Sequence, residues 1–111
     1  MAGNLSFIDG EYIFREGESA EYAYIVSSGI IEITKISANG EDILVRLEPP
    51  SLFGEMALID GSPRSASARA KGDTTVTEVT STAFGQYIKQ NPEAAIRIMK
   101  NISENLRSAN Q

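Results

Sequence analysis

From Tyr12 to Thr80 the chain carries a turn signal about every 8–12 residues, a spacing that leaves room for short strands and little else. Gly17, the Ser27-Ser28-Gly29 triplet, Asn39-Gly40, Pro49-Pro50, Gly61-Ser62-Pro63 and Gly72-Asp73 supply the breaks. Between them the side chains alternate. Tyr12 and Phe14 alternate with Ile13 and Arg15. Tyr22, Tyr24 and Val26 alternate with Ala23 and Ile25. Ile31 and Ile33 alternate with Glu32 and Thr34. Ile43 to Leu47 forms a further run. Ala66, Ala68 and Ala70 alternate with Ser67, Arg69 and Lys71, and Thr74 to Thr80 carries Val76 and Val79. The Asn39-Gly40 pair is a two-residue hairpin signal. The expectation is a mainly β fold with a C-terminal α part: an antiparallel β-roll or jelly-roll barrel over about residues 10–80. Closure of that kind limits free edges.

After Thr80 the period changes. Ser81 and Thr82 are N-cap candidates ahead of a helix over Ala83 to Gln90. Asn91-Pro92 then opens a second helix, with Asn as cap and Pro in the first position. Ala95, Ile98, Met99, Ile102 and Leu106 recur three and four residues apart and form one apolar stripe. That stripe packs on the barrel or meets the same helix of a second copy. The helices together span about residues 81–109, and the 111 residues suit a single domain with one core.

Composition excludes several functions. The chain has no cysteine and no histidine, which removes thiol nucleophiles, disulfides, the commonest general base and the commonest metal ligand. Cupin-type jelly-roll enzymes hold their metal with histidines, so metal and catalytic residues are both expected to be absent. The acidic pair Glu41-Asp42 falls at a hairpin tip and reads as solvated surface. Net charge is −5, which disfavours nucleic-acid binding by this domain alone. No apolar run approaches the ~20 residues of a membrane span, and MAGNLSFIDG lacks the basic and apolar regions of a secretory signal. The reading is cytoplasmic.

One segment gathers unlike chemistries. In FGEMALIDGSPRSASARA, Phe53 to Ala70, a glycine and a glutamate head a short helix-forming run, Gly61-Ser62-Pro63 turns the chain, and an arginine and a serine follow. A helix beginning at Gly54 leaves its first N–H groups unpaired. Arg64 can fold back toward that end with a guanidinium fork suited to phosphate oxygens. Ser65 adds a hydroxyl. Glu55 would repel phosphate, so it is expected to accept from a neighbouring hydroxyl and to hold Arg64 in place. A sugar phosphate with a free hydroxyl meets that demand.

The segment resembles the phosphate-binding cassette of the cyclic-nucleotide-binding domain family, whose pattern is approximately F-G-E-hydrophobic-A-L, a short gap, then P-R-[ST/A]-A. Here it stands as Phe53-Gly54-Glu55-Met56-Ala57-Leu58, then Pro63-Arg64-Ser65-Ala66. YIFREGE, AYIVSSGIIEI, NGEDILVRLEPPSLFGE and NPEAAIRIMKNISENLR are similar to further stretches of the family, so the likeness covers roughly residues 10 to 108. It implies a β-roll with flanking helices that binds cyclic AMP or cyclic GMP. No adenine reader stands out, and a serine after the arginine also occurs in members that bind cyclic AMP, which is favoured here.

By the same resemblance Glu55 accepts from the ribose 2′-hydroxyl and Arg64 pairs with the cyclic phosphate. Gly54 and Ala57 present backbone N–H groups, and Ser65 contacts the phosphate or a guanine edge. Met56 and Ala66 belong to the same ligand-binding segment. Leu44 and Arg46 fall where the family's pocket wall approaches the base. The C-terminal helix closes over the base, which makes the chain a non-catalytic sensor relaying to an effector protein, with homodimerisation through that helix as a further expectation. The competing reading is a degenerate β-roll that only contacts other proteins. Two departures stand out. Pro50-Ser51 replaces the usual Gly-Asp before the cassette, and only nine residues precede Gly10, where the family carries helices.

Overall fold

The structure is a computed structural model that describes residues 3–93 and Ile96. It contains β1 (Asn4–Phe7), β2 (Tyr12–Phe14), β3 (Ala23–Ser37), β4 (Gly40–Leu47), β5 (Leu52–Phe53), α1 (Glu55–Asp60), β6 (Ser67–Val79) and α2 (Ser81–Gln90). All strand pairings are antiparallel. The main path of the sheet runs β1-β6-β3-β4, with β2 added to β6 and β5 to β3. The expected hairpin is present: Ser37 pairs with Gly40 around Ala38-Asn39.

The two long central strands, β3 and β6, differ from the expectation of four short ones. The Ser27-Ser28-Gly29 break is absorbed as irregularities in the β3–β6 register, between Val26 and Ser28 and between Ser28 and Ile30. Such bulges bend a strand without ending it. Gly29 stands at φ 84°, and a Cβ there would come within 2.8 Å of the Thr74 Cα. The glycine serves close approach rather than a chain reversal. Thr74, 2% exposed, closes the gap: its Oγ1 donates to the Ile30 carbonyl at 3.1 Å and accepts from the Ile30 N–H at 3.3 Å. Gly72-Asp73 likewise lies inside β6.

β1 extends the roll ahead of residue 10. It pairs Asn4–Phe7 with Thr74–Thr77 of β6. Its four residues do alternate, with Leu5 and Phe7 on one side, but the run is too short to stand out alone.

The core gathers Tyr24, Val26, Ile31, Phe53, Ala68 and Val76, contributed by β3, β5 and β6. Phe14 packs against it and forms an aromatic cluster with Tyr24 and Phe53, ring centroids 5.5–6.0 Å apart. The cap of α2 lies one residue before the expected candidates, and the helix starts at Ser81: Thr80 Oγ1 accepts from the Ala83 N–H at 3.1 Å. Phe84 is its buried residue. Pro92 and Glu93 are helical, as the Asn-Pro start implies. The stripe from Ala95 to Leu106, with its lid and dimer expectations, lies outside the described residues.

Candidate functional site

The site is built around Arg64, and the chain fixes that residue from two directions. Its backbone is pinned to the β2–β3 connection. Gly17 N–H donates to the Arg64 carbonyl and Arg64 N–H to the Glu18 carbonyl, both at 2.8 Å. Glu16 N–H donates to Ser67 Oγ at 2.8 Å and extends the seam. The side chain therefore turns inward and is 5% exposed. Nη1 donates to the Gly54 carbonyl at 2.7 Å and Nη2 to the Tyr22 carbonyl at 2.6 Å. The guanidinium carbon sits 4.0 Å from the centre of the Phe14 ring. Nε is buried and has no partner.

No carboxylate stands within ion-pair distance of Arg64 among the described residues. Burial pushes its pKa down from the ordinary arginine value, while Tyr24, Glu18 and Glu55 push it back up. A sequestered cation without a counter-charge is an unfavourable arrangement in a finished core.

α1 faces this cation with its N-terminal end. Gly54 is its cap at φ 75°, and no side chain caps the first turn. A Cβ on Gly54 would fall 2.7 Å from Arg64 Nη1 and 3.1 Å from Phe14. The cassette glycine thus answers to both backbone angle and space. Gly61 ends the helix in the left-handed region, its N–H donating to the Ala57 carbonyl at 3.0 Å. Glu55 is in the first turn and partly buried. Burial drives its carboxyl above the ordinary range; a hydrogen bond from its own backbone and the Arg64 charge pull it down. It makes no ion pair with Arg64, contrary to the expected clasp. Arg64 spends its terminal nitrogens on carbonyls instead.

A cavity of about 200 Å³ opens between these groups. Gly54, Glu55, Met56, Ala57, Arg64, Ser65 and Ala66 all line it. Its apolar walls are Phe14, Ile33 and Phe53. Those three were not among the expected site residues. For Phe14 the obstacle was period: strict alternation would put it on the face of Tyr12, but the pairing of β2 with β6 is irregular between those two residues. Tyr12 pairs with Arg69 on the polar side and Phe14 with buried Ala68.

Leu44 and Arg46 do not line this cavity. Leu44 is 58% exposed and sits at the irregularity that separates the Ile33–Val45 and Thr34–Ile43 pairs. Arg46 lies on the opposite face of the sheet, its Nε donating to Glu32 at 2.9 Å. Cross-strand partners share a face, so Val45, paired with Ile33, is the β4 residue on the cavity side.

The outer face holds a polar network instead. Glu32, 5% exposed, accepts from Arg46 and from Arg69, each at 2.9 Å. Glu41 accepts from Tyr12 Oη and Thr34 Oγ1, each at 2.8 Å, and pairs with Arg69. It is exposed at the hairpin tip, as expected, but its carboxylate is tied down there. Hydrogen bonds from Arg46 hold the Glu32 carboxyl below its ordinary value, and those from Tyr12 and Thr34 do the same for Glu41. Among the described residues no three acidic side chains converge on a metal position, and no helix is long and apolar enough to cross a membrane.

The family model for the cyclic nucleotide-binding domain matches residues 5–91. The chain is 37% identical to a cAMP-dependent protein kinase regulatory subunit from Blastocladiella emersonii over 77% of its own length and 21% of that protein. It is 31% identical to a CRP-like cAMP-activated global transcriptional regulator from Mycobacterium tuberculosis, over 96% of this chain and 48% of the regulator. The chain thus spans half or less of these relatives. The crystal structure of Thermus thermophilus catabolite activator protein superposes with a TM-score of 0.79 at 31% identity, covering 98% of this chain and 52% of that one, and has the same β-roll.

Proposed function

The chain belongs to the cyclic nucleotide-binding domain family, and from that premise we propose that it is a sensor module that binds cyclic AMP in preference to cyclic GMP and catalyses nothing. The observation that carries the reading is the buried Arg64 guanidinium, which lines the cavity without a counter-charge and keeps Nε unpartnered. A cyclic phosphate supplies one negative charge and acceptor oxygens together. Binding it turns a desolvation cost into a charge-assisted hydrogen bond. The uncapped first turn of α1 offers N–H groups to the same anion. The Glu55 carboxylate takes the ribose 2′-hydroxyl as donor, and Ser65 adds a hydroxyl to the phosphate.

At about 200 Å³ the cavity is smaller than the ~300–1,000 Å³ of ordinary ligand pockets. It accommodates the sugar-phosphate end, and the base extends past its mouth over the Ile33–Val45 pair. The relatives named for cyclic AMP support the adenine preference. Relay to an effector protein, dimerisation through the C-terminal helix, organisation as one domain and a cytoplasmic setting belong to the same proposal.

Calorimetry of the full chain with cyclic AMP, cyclic GMP and linear 5′-AMP tests it. Saturable binding is expected, tightest for cyclic AMP and weakest for the linear nucleotide. Tighter cyclic GMP binding would reverse the preference. No binding of either cyclic nucleotide would leave a β-roll that works through protein contacts alone.

A further inference from the structure

Two hydrogen bonds do not fix a guanidinium plane. Nη1 and Nη2 of Arg64 are tied to the Gly54 and Tyr22 carbonyls, but the group can still rock about the line joining those two nitrogens. Such a motion would swing Nε, the unpartnered donor, toward or away from the cavity. The Phe14 ring stands in the way of that rocking, 4.0 Å from the guanidinium carbon. The ring is itself braced. Tyr24 packs 5.9 Å away at 33° and Phe53 6.0 Å away at 35°. Gly54 leaves no slack beside it, since even a Cβ there would meet the ring at 3.1 Å.

We infer that Phe14 is a positioning residue: its ring sets the tilt of the Arg64 guanidinium and so aims Nε at the anion. The inference rests on the proposed function for its effect on affinity, though not for the stack itself. Arginine over an aromatic face is favourable through the ring quadrupole as well as through contact. Aliphatic residues of similar size can fill the volume but lack both the flat surface and the quadrupole.

The experiment pairs binding with a signal from Arg64. In the parent chain the Arg64 Nε–H proton should be shifted upfield by the Phe14 ring current in NMR spectra. Phe14→Met, which retains bulk without a ring, should return it to an ordinary arginine position and weaken cyclic nucleotide binding by about fivefold to thirtyfold. Phe14→Leu repeats the comparison with a stiffer side chain, and Phe14→Tyr should keep the upfield signal and most of the affinity. An unshifted Nε–H in the parent overturns the stack, whatever the variants do. Parent affinity in a folded Phe14→Met or Phe14→Leu chain overturns the positioning effect. A parent chain with the shifted signal but no affinity for either nucleotide defeats the proposed function while leaving the stack in place.

Discussion

Arg64→Lys keeps the charge and removes the fork. In the ligand-free chain the arginine joins the Gly54 carbonyl, ahead of α1, to the Tyr22 carbonyl, just ahead of β3. One ammonium group cannot reproduce that double tie with the same planar geometry. Losing one hydrogen bond to a charged group costs about 1.5–3 kcal/mol, so a stability loss of about 2–3 kcal/mol is expected. At ~4 °C per kcal/mol for a domain of this size, Tm should fall by roughly 8–12 °C. Affinity should drop separately, because lysine also lacks the buried, unpartnered Nε donor of this cavity-lining residue. One charge-assisted hydrogen bond corresponds to about tenfold to a hundredfold in Kd. Thermal melts and calorimetry on one preparation read both quantities. An unchanged Tm would refute the structural tie; unchanged affinity would refute the phosphate contact. A fall in both is expected, because this residue serves the fold before it meets a ligand.

Glu55→Gln should stabilise the ligand-free chain at pH 7 and weaken cyclic nucleotide binding about tenfold. The sign follows from its raised pKa: the carboxyl favours folding when protonated, and that contribution is lost as pH rises through the folded value. Urea titrations should show the variant's advantage at pH 7 and its disappearance by about pH 4, near the ordinary glutamate range; a less stable variant at pH 7 would contradict the burial argument. Gly29→Ala should cost about 2–5 kcal/mol in the same assay, because the methyl group meets the backbone of Thr74 and the residue must keep a left-handed conformation. A loss under 1 kcal/mol would mean that β3 and β6 can separate there. Glu32→Gln should cost about 1–3 kcal/mol at pH 7 by weakening the bonds from Arg46 and Arg69. Because the Glu32 carboxyl is held low, its contribution is present above about pH 4.3 and fades as pH falls through the folded value. The gap between variant and parent should therefore close in acid, and a pH-independent gap would point to packing instead.

The cassette was legible because its chemistry is local. Gly54 to Ala66 carry the glycine, carboxylate, cation and hydroxyl within one short stretch, and the fold brings them to one cavity. Residues that reach the site through pairing were not legible. Phe14 changes face at an irregularity that no local pattern marks, and Ile33 enters from a strand whose length the Ser27-Ser28-Gly29 signal obscured. Gly29 reads as a turn in sequence because turns and close strand contacts demand the same missing side chain. Glu41 is exposed as its hairpin position implies, but its ties were not legible because two of its partners, Tyr12 and Arg69, lie 29 and 28 residues away. Likeness alone puts Arg46 at the pocket wall, whereas its side chain bonds Glu32 away from the cavity. Its cross-strand partner Glu32, buried in a polar network, is the residue that decides.

The short first strand gives the molecule a built-in ruler. The Gly3 carbonyl accepts from Glu78 N–H at 3.0 Å, and Asn4 pairs with Thr77 and accepts its hydroxyl at 2.7 Å. Thr80, the cap of α2, follows only two residues after Glu78. The beginning of β1 and the root of α2 are therefore anchored to the same end of β6. A fluorophore attached at Asn4 would ride on that anchored strand and be nearly stationary in the frame of the roll. Paired with a second fluorophore beyond Asn91, it would report chain displacement downstream of α2 as a change in energy transfer, with little contribution from the sheet that holds its reference point.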